Sequence, residues 1–294
     1  MASAMQTSDS NGPRKPPSMP DPLRIAWAPD SLPPFPAVAL KAMRVMSGTD
    51  SSLRELCDIV RTDPAFSAEI LRVANSPLIA FPKEINSVLQ ASMLLGFRRL
   101  RSIVIAVGLR DYLKNSFAEN MRSCWRHSIA CAIVAERIAR WSLVDKDFVY
   151  TAGVLHDIGR VALATMLPDS YARLLTTVVE RSTDLLPAER ELFGLDHCQA
   201  GRALIMEWQL PEAFIEITSR HHEPVAQANG ATPVIQLSCV LADTLGFGVT
   251  SQRQPCSYTE ILAQLPERAR QRLPGQPEEF AASVAQEIDV IQWA

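Results

Sequence analysis

Five histidines are the whole supply of imidazole in a chain of 294 residues. His127 lies in a largely apolar stretch, and His156 is followed at once by Asp157 within Val154-Leu155-His156-Asp157-Ile158-Gly159-Arg160. His197 follows Asp196, and the pair His221-His222 stands just before Glu223-Pro224. Asp243 sits among the apolar residues of Val240-Leu241-Ala242-Asp243-Thr244-Leu245. The order is His, His-Asp, His, His-His, Asp, and no histidine is left over. Imidazole and carboxylate donors together suit Fe, Mn, Zn, Ni or Mg, so the expectation is a centre for one or more divalent metal ions. An aspartate between two ions can bridge them and orient an attacking water. A single helical histidine more often packs than ligates, and a single His-Asp pair arises readily by chance. The inference rests on the series as a whole.

Such donors must be aimed at a common point, and the flanking sequence predicts helices for that task. Ser52 to Glu55 and Ser87 to Gln90 read as capping boxes, and Asp63-Pro64 places an N-cap before a proline at the first helical position. Gly96 is suited to ending a helix in a left-handed conformation. Leu100, Ile103, Val104 and Val107 then recur at helical spacing. Ser116 to Glu119 caps a long helix running to about Trp141. Further helices are predicted at about Lys146–Met166, Ser170–Arg181, Asp196–Trp208, Glu212–His222, Pro233–Leu245 and Glu278–Trp293. Neighbours on a helix diverge by about 100°. Each of the pairs His156-Asp157 and His221-His222 is therefore expected to serve a central ion with one member and a second ion, or a bridging position, with the other. Gly201, one turn after His197, is expected to leave open space on that face. The fold class is all-α, a multi-helix bundle of two packed helical lobes.

The predicted organisation is a disordered proline-rich leader over 1–31, one domain over 32–250 and a helical extension over 251–294. Within the domain the seam falls between an N-terminal lobe, 32–115, and a C-terminal lobe, 116–250. A hydrophobic fraction of 47%, a charged fraction of 21% and a net charge of −3 describe an ordinary globular chain. That balance lacks the positive charge a general nucleic-acid binder needs. The polar start carries no secretory signal, and no apolar run reaches the roughly 18 residues of a membrane span. The six cysteines form no CxxC pair. The expectation is a cytoplasmic protein with reduced thiols and no membrane partner. Phosphate loops, dinucleotide fingerprints and nucleophile elbows are all missing.

Val154 to Gly159, preceded by His127 and followed by Asp243, resembles the HD superfamily of metal-dependent phosphohydrolases. The wider pattern is similar to the HDOD family, the HD-related output domain. Leu32 to Pro36, Ile59 to Pro64, Leu71 to Ser76 and Leu94 to Leu100 carry that likeness in the first lobe. Asp196-His197 through Gly201, Trp208 to Pro211 and His221-His222 carry it in the second, which the resemblance makes HD-like. It implies His127, His156, Asp157 and Asp243 as ligands of a basic metal site, with His197, His221 and His222 extending it toward a second ion. Asp157 and Arg160 are the implied catalytic pair. After His221-His222-Glu223-Pro224 there is no Asp-Gly-x-Gly-Tyr-Pro loop, and Arg160 replaces the lysine of the HD-GYP enzymes, which points away from cyclic-di-GMP hydrolysis. The family implies a signal-transduction or regulatory module acting through a protein partner. The alternative is a metal-dependent phosphohydrolase with a nucleotide or phosphodiester ligand.

Overall fold

The computed structural model describes residues 36–46, 52–76, 82, 85–113, 119–208, 210–225, 230–250 and 256–292. The predicted disordered leader over 1–31 lies outside the described residues. Four helices come first: α1 (Ala37–Met46), α2 (Leu53–Val60), α3 (Pro64–Ala74) and α4 (Val88–Leu113). Then follow α5 (Glu119–Ala139), α6 (Lys146–Leu155), α7 (Ile158–Met166) and α8 (Pro168–Arg181). The chain continues with α9 (Leu185–Phe193), α10 (His197–Glu207), α11 (Glu212–Arg220) and α12 (Ala231–Ala242). A π-helical turn, Asp243–Phe247, extends α12, and α13 (Tyr258–Ala263), α14 (Glu267–Arg270) and α15 (Pro277–Gln292) complete the order. No strand occurs among the described residues, and the fold class is all-α as read from the sequence. Among those residues no helix is long and apolar enough to cross a membrane.

Local signals account for several helix ends. Ser52 Oγ accepts from the Glu55 amide at 3.1 Å, and Asp63 Oδ1 accepts from the Phe66 amide at 3.2 Å with Pro64 opening α3. Gly96 has φ 74° and ψ 166°, so α4 is two helical segments joined at a residue that needs no Cβ. The Asn75 side chain donates to the carbonyls of Leu71 and Ile85 and accepts from the Ile85 amide at 2.7 Å, tying the end of α3 to the approach to α4.

One predicted helix is broken in the structure, and one observed helix was not predicted. The single helix expected over Lys146–Met166 breaks at His156-Asp157, between α6 and α7. α9 was not expected at all, although Asp184 accepts from the Leu186 amide at its start and Gly194 closes it in a left-handed conformation.

α5 is the axis of the molecule. Cys124, Ile129 to Ala135 and Ile138 are buried, and α4, α6, α7, α12 and α15 all pack against it. Its small residues allow close approach: a Cβ added at Gly153 of α6 would fall 2.5 Å from Ala132 Cα. Buried apolar residues of α1 to α4 join those of the later helices in one continuous core. α15 closes the bundle with Phe280, Val284 and Ile288 fully buried. Arg137 of α5 donates to Ser283 Oγ at 2.7 Å and pairs with Glu287 across the same seam.

Candidate metal centre

The break between α6 and α7 is what makes His156 and Asp157 neighbours in function. Both lie in the turn, so their side chains are released from helical divergence and face one interior point. Asp157 precedes the first residue of α7 yet makes no side-chain cap, although aspartate is among the favoured N-cap residues. Its carboxylate is turned inward instead. His197 opens α10, where Asp196 and Gln199 form a reciprocal capping box. His221 and His222 follow the last residue of α11, and Gln236 of α12 holds that turn by donating to the carbonyls of Arg220 and Glu223. His127 comes from the buried centre of α5.

α7 and α10 meet backbone to backbone. A Cβ at Gly159 would lie 1.9 Å from the His197 carbonyl oxygen and 2.3 Å from the Gly201 nitrogen. A Cβ at Gly201 would meet Thr218 Cγ2 at 2.5 Å. The open space expected beside Gly201 is thus filled by Gly159 and Thr218. These two glycines bring His197 up to the His156-Asp157 turn.

Four histidines share one arrangement. Nδ1 of His156 faces the Gly153 carbonyl at 2.7 Å, and Nδ1 of His221 faces the Thr218 carbonyl at 2.9 Å. Nδ1 of His197 faces Glu189 Oε2 at 2.6 Å, while Nδ1 of His127 lies 3.2 Å from the Phe247 carbonyl and 3.1 Å from Asp243 Oδ1. These oxygens only accept, so each Nδ1 carries a proton and each Nε2 points inward. That division of labour is the one metal-ligating histidines use.

Asp157 stands between two groups of donors. Its Oδ1 lies 3.2 Å from His221 Nε2 and 3.4 Å from His197 Nε2. Its Oδ2 lies 3.8 Å from His127 Nε2 and 3.9 Å from His156 Nε2. Asp157, His197, His221 and His222 form one set whose donor atoms lie within 4.8 Å of one another, and His127, His156 and Cys239 form a second. Both Asp157 oxygens, His156 Nε2 and His221 Nε2 are buried with no well-aligned hydrogen bond, the carboxylate having only the ionic contacts of His221 and Arg160 beside it. Buried polar atoms are ordinarily satisfied, and a cation would satisfy all four. The residues present therefore fit a divalent ion.

The charges are arranged to match. Burial would raise the Asp157 carboxyl, but Arg160, whose Nε lies 3.0 Å from Oδ2, and His156 hold it well below the usual range. Burial pushes His156 down, leaving a neutral imidazole. Against the same burial, Glu189 lifts His197 to about 10, and contact with Asp157 and Cys198 lifts His221 to about 9.

The sequence-derived residues fall into place unevenly. His127, His156, Asp157, His197, His221 and His222 converge, His222 at the exposed edge with Nε2 3.0 Å from His197 Nε2. Arg160 joins them, its Nη2 3.4 Å from His197 Nε2. Asp243 stands behind His127, on the Nδ1 side, outside both donor sets. Glu189 and Cys239 were not anticipated. Glu189 is fully buried and holds the ring and the backbone amide of His197 as well as the Tyr171 hydroxyl. A glutamate eight residues before a histidine gives no periodic signal, and Cys239 looks like any small apolar residue of α12.

A profile of the HDOD domain matches residues 32–224. An HDOD domain protein of unknown function from Geobacter sulfurreducens is 27% identical, with TM-score 0.69, covering 90% of this chain and 92% of that one. A proposed phosphohydrolase from Shewanella amazonensis SB2B is 22% identical, with TM-score 0.65 and coverage of 89% and 93%. A proposed signal transduction protein from Marinobacter aquaeolei VT8 is 21% identical, with TM-score 0.67 and coverage of 89% and 58%. These last two likenesses concern the fold. Among curated relatives, an uncharacterized protein of Treponema pallidum (strain Nichols) is 24% identical over 196 residues. The match takes in 66% of this chain and 38% of that relative, so the chain spans well under half the relative's length.

Proposed function

The chain belongs to the HDOD domain family, and on that premise we propose that it is a signal-transduction or regulatory module built around a divalent-metal centre, acting through a protein partner. One observation carries the choice of a regulatory role over turnover: the donors are walled in. His156 and His197 are wholly buried, Asp157 is 1% exposed, and within the two donor sets only His222 reaches the surface. A phosphodiester would have to bring its phosphorus into that enclosure. A bound ion would instead cross-link α5, the α6–α7 turn, α10 and the end of α11, and so set the helical surface offered to a partner. In this reading His127, His156 and Asp157 form the basic set, His197, His221 and His222 extend it, and Asp243 orients His127 from behind rather than serving as a ligand. The cytoplasm is its place of action, in keeping with six cysteines that form no disulfide.

The second reading is a metal-dependent phosphohydrolase acting on a nucleotide or phosphodiester. Asp157 favours it, because its two oxygens face two separate donor sets, as a bridging carboxylate does. A bound ion there would supply an activated water, with Asp157 and Arg160 as the residues holding charge beside it. The discriminating experiment is elemental analysis of the purified chain together with a nucleotide and phosphodiester hydrolysis panel, run against a His156→Ala/Asp157→Ala double variant. The regulatory reading expects bound metal in the wild type, none in the variant, and equal background turnover in both. Metal-dependent turnover confined to the wild type replaces it with the second reading. A folded wild type that takes up no metal overturns both.

A further inference from the structure

Cys239 is the one donor in the centre that stands outside the series of histidines and aspartates. It lies one turn before Asp243 on α12, is buried, and has its Sγ 3.5 Å from His127 Nε2. His156 Nε2 completes a set of three donor atoms within 4.8 Å of one another. That nitrogen is wholly buried and has no hydrogen-bond partner, so an unsatisfied donor other than sulfur points into the same space. Asp157 Oδ2 borders the set at 3.8 and 3.9 Å from the two imidazole nitrogens. A tetrahedral ion with metal–sulfur and metal–nitrogen bonds of about 2.3 and 2.0–2.1 Å holds sulfur and nitrogen about 3.5 Å apart. The observed spacing already has that value. Asp243 meanwhile is engaged with the far nitrogen of His127, at 3.1 Å.

We propose that Cys239 is a thiolate ligand, making a mixed site of His127, His156, Cys239 and Asp157 for a borderline-soft divalent ion such as Zn, Fe(II) or Co(II). Coordination forms a metal–sulfur bond and releases the thiol proton to solvent, with no change of oxidation state. Asp243 acts from behind, as the acceptor that orients His127. A sulfur donor disfavours Mg, which takes oxygen ligands in near-octahedral geometry. The inference rests on the metal centre proposed above and narrows which ion it takes.

The test is a Co(II) titration of the full chain followed by absorbance, with Cys239→Ser and, as a control on α2, Cys57→Ser. The wild type and the control should show a thiolate-to-cobalt charge-transfer band in the near ultraviolet. Cys239→Ser should lose the band and bind at least about tenfold more weakly, since groups merely behind a ligand are worth about 10- to 100-fold. Cobalt bound without the band, or a band that survives in Cys239→Ser, overturns the thiolate and leaves the metal centre standing. No cobalt uptake by the folded wild type overturns both. X-ray absorption of the zinc-loaded wild type needs no variant: one sulfur neighbour to the metal is expected, and nitrogen and oxygen alone overturn the proposal.

Discussion

Glu189 is the residue on which the electrostatics of the centre turn. It is fully buried, accepts from both the amide and the ring of His197, and receives the Tyr171 hydroxyl at 2.7 Å. Burial would raise its carboxyl, but the adjacent His197 holds it below the ordinary value, so the group stays ionised. An ionised acceptor keeps the His197 proton on Nδ1 and makes Nε2 a better donor. Glu189→Gln retains the shape and removes the charge. Metal affinity, read by competition with a chelator of known affinity, should fall about 10- to 100-fold while the fold persists. An unchanged affinity would place His197 outside the metal site. The same logic explains why every inward histidine has an oxygen behind it, supplied by Gly153, Thr218, Glu189 or the Asp243–Phe247 turn.

At the scale of elements, two devices replace regular helix. The break at His156-Asp157 aims adjacent side chains at one point, which a continuous helix would splay by about 100°. The π-helical turn after α12 brings the Phe247 carbonyl and Asp243 together behind His127. Both are local departures of the kind found at functional positions. The contact between α7 and α10 is the third device, and it depends on glycine because backbone meets backbone. Gly159→Ala puts a methyl 1.9 Å from the His197 carbonyl, which no side-chain rotation relieves. The cost should reach or exceed the upper end of the roughly 1–3 kcal/mol typical of overpacking. Urea denaturation of the chelated protein measures it, and a loss below about 0.5 kcal/mol would mean that α7 and α10 separate freely.

Over the whole molecule, the centre joins distant parts of the chain, and its protons couple to folding. His197 and His221 titrate at about 10 and 9 in the folded metal-free protein, above the ordinary histidine value of 6.5. Raised values mean that their stabilisation is complete below about 6.5 and is lost as pH rises through 9 and 10. A cation bound at this centre would replace those protons. Thermal unfolding with and without chelator should therefore diverge as pH rises from 6.5 to 10, the chelated form falling faster. Parallel curves would separate the histidines from the metal. The family match ends at residue 224, yet α12 lies beyond it, packs on α5 and delivers Cys239 and Gln236 to the centre.

The histidine series, the helix caps and the apolar periodicity were legible from the chain alone because each is a local property: a residue type, a neighbour, a spacing. They were enough for an all-α fold and for six donors that converge, while the family came from the resemblance of longer segments. Residues that act across the fold left no such trace. Glu189 reaches His197 from a separate helix, Cys239 faces His127 across 112 positions of sequence, and Gly201 turned out to be packed rather than open. Asp243 was legible as a polar residue in an apolar helix, but the side of His127 it occupies depends on the turn that ends α12. Sequence spacing determines which donors are present and near one another along the chain. Which atoms of those donors face inward is decided by the carbonyls and carboxylates that other helices place behind them.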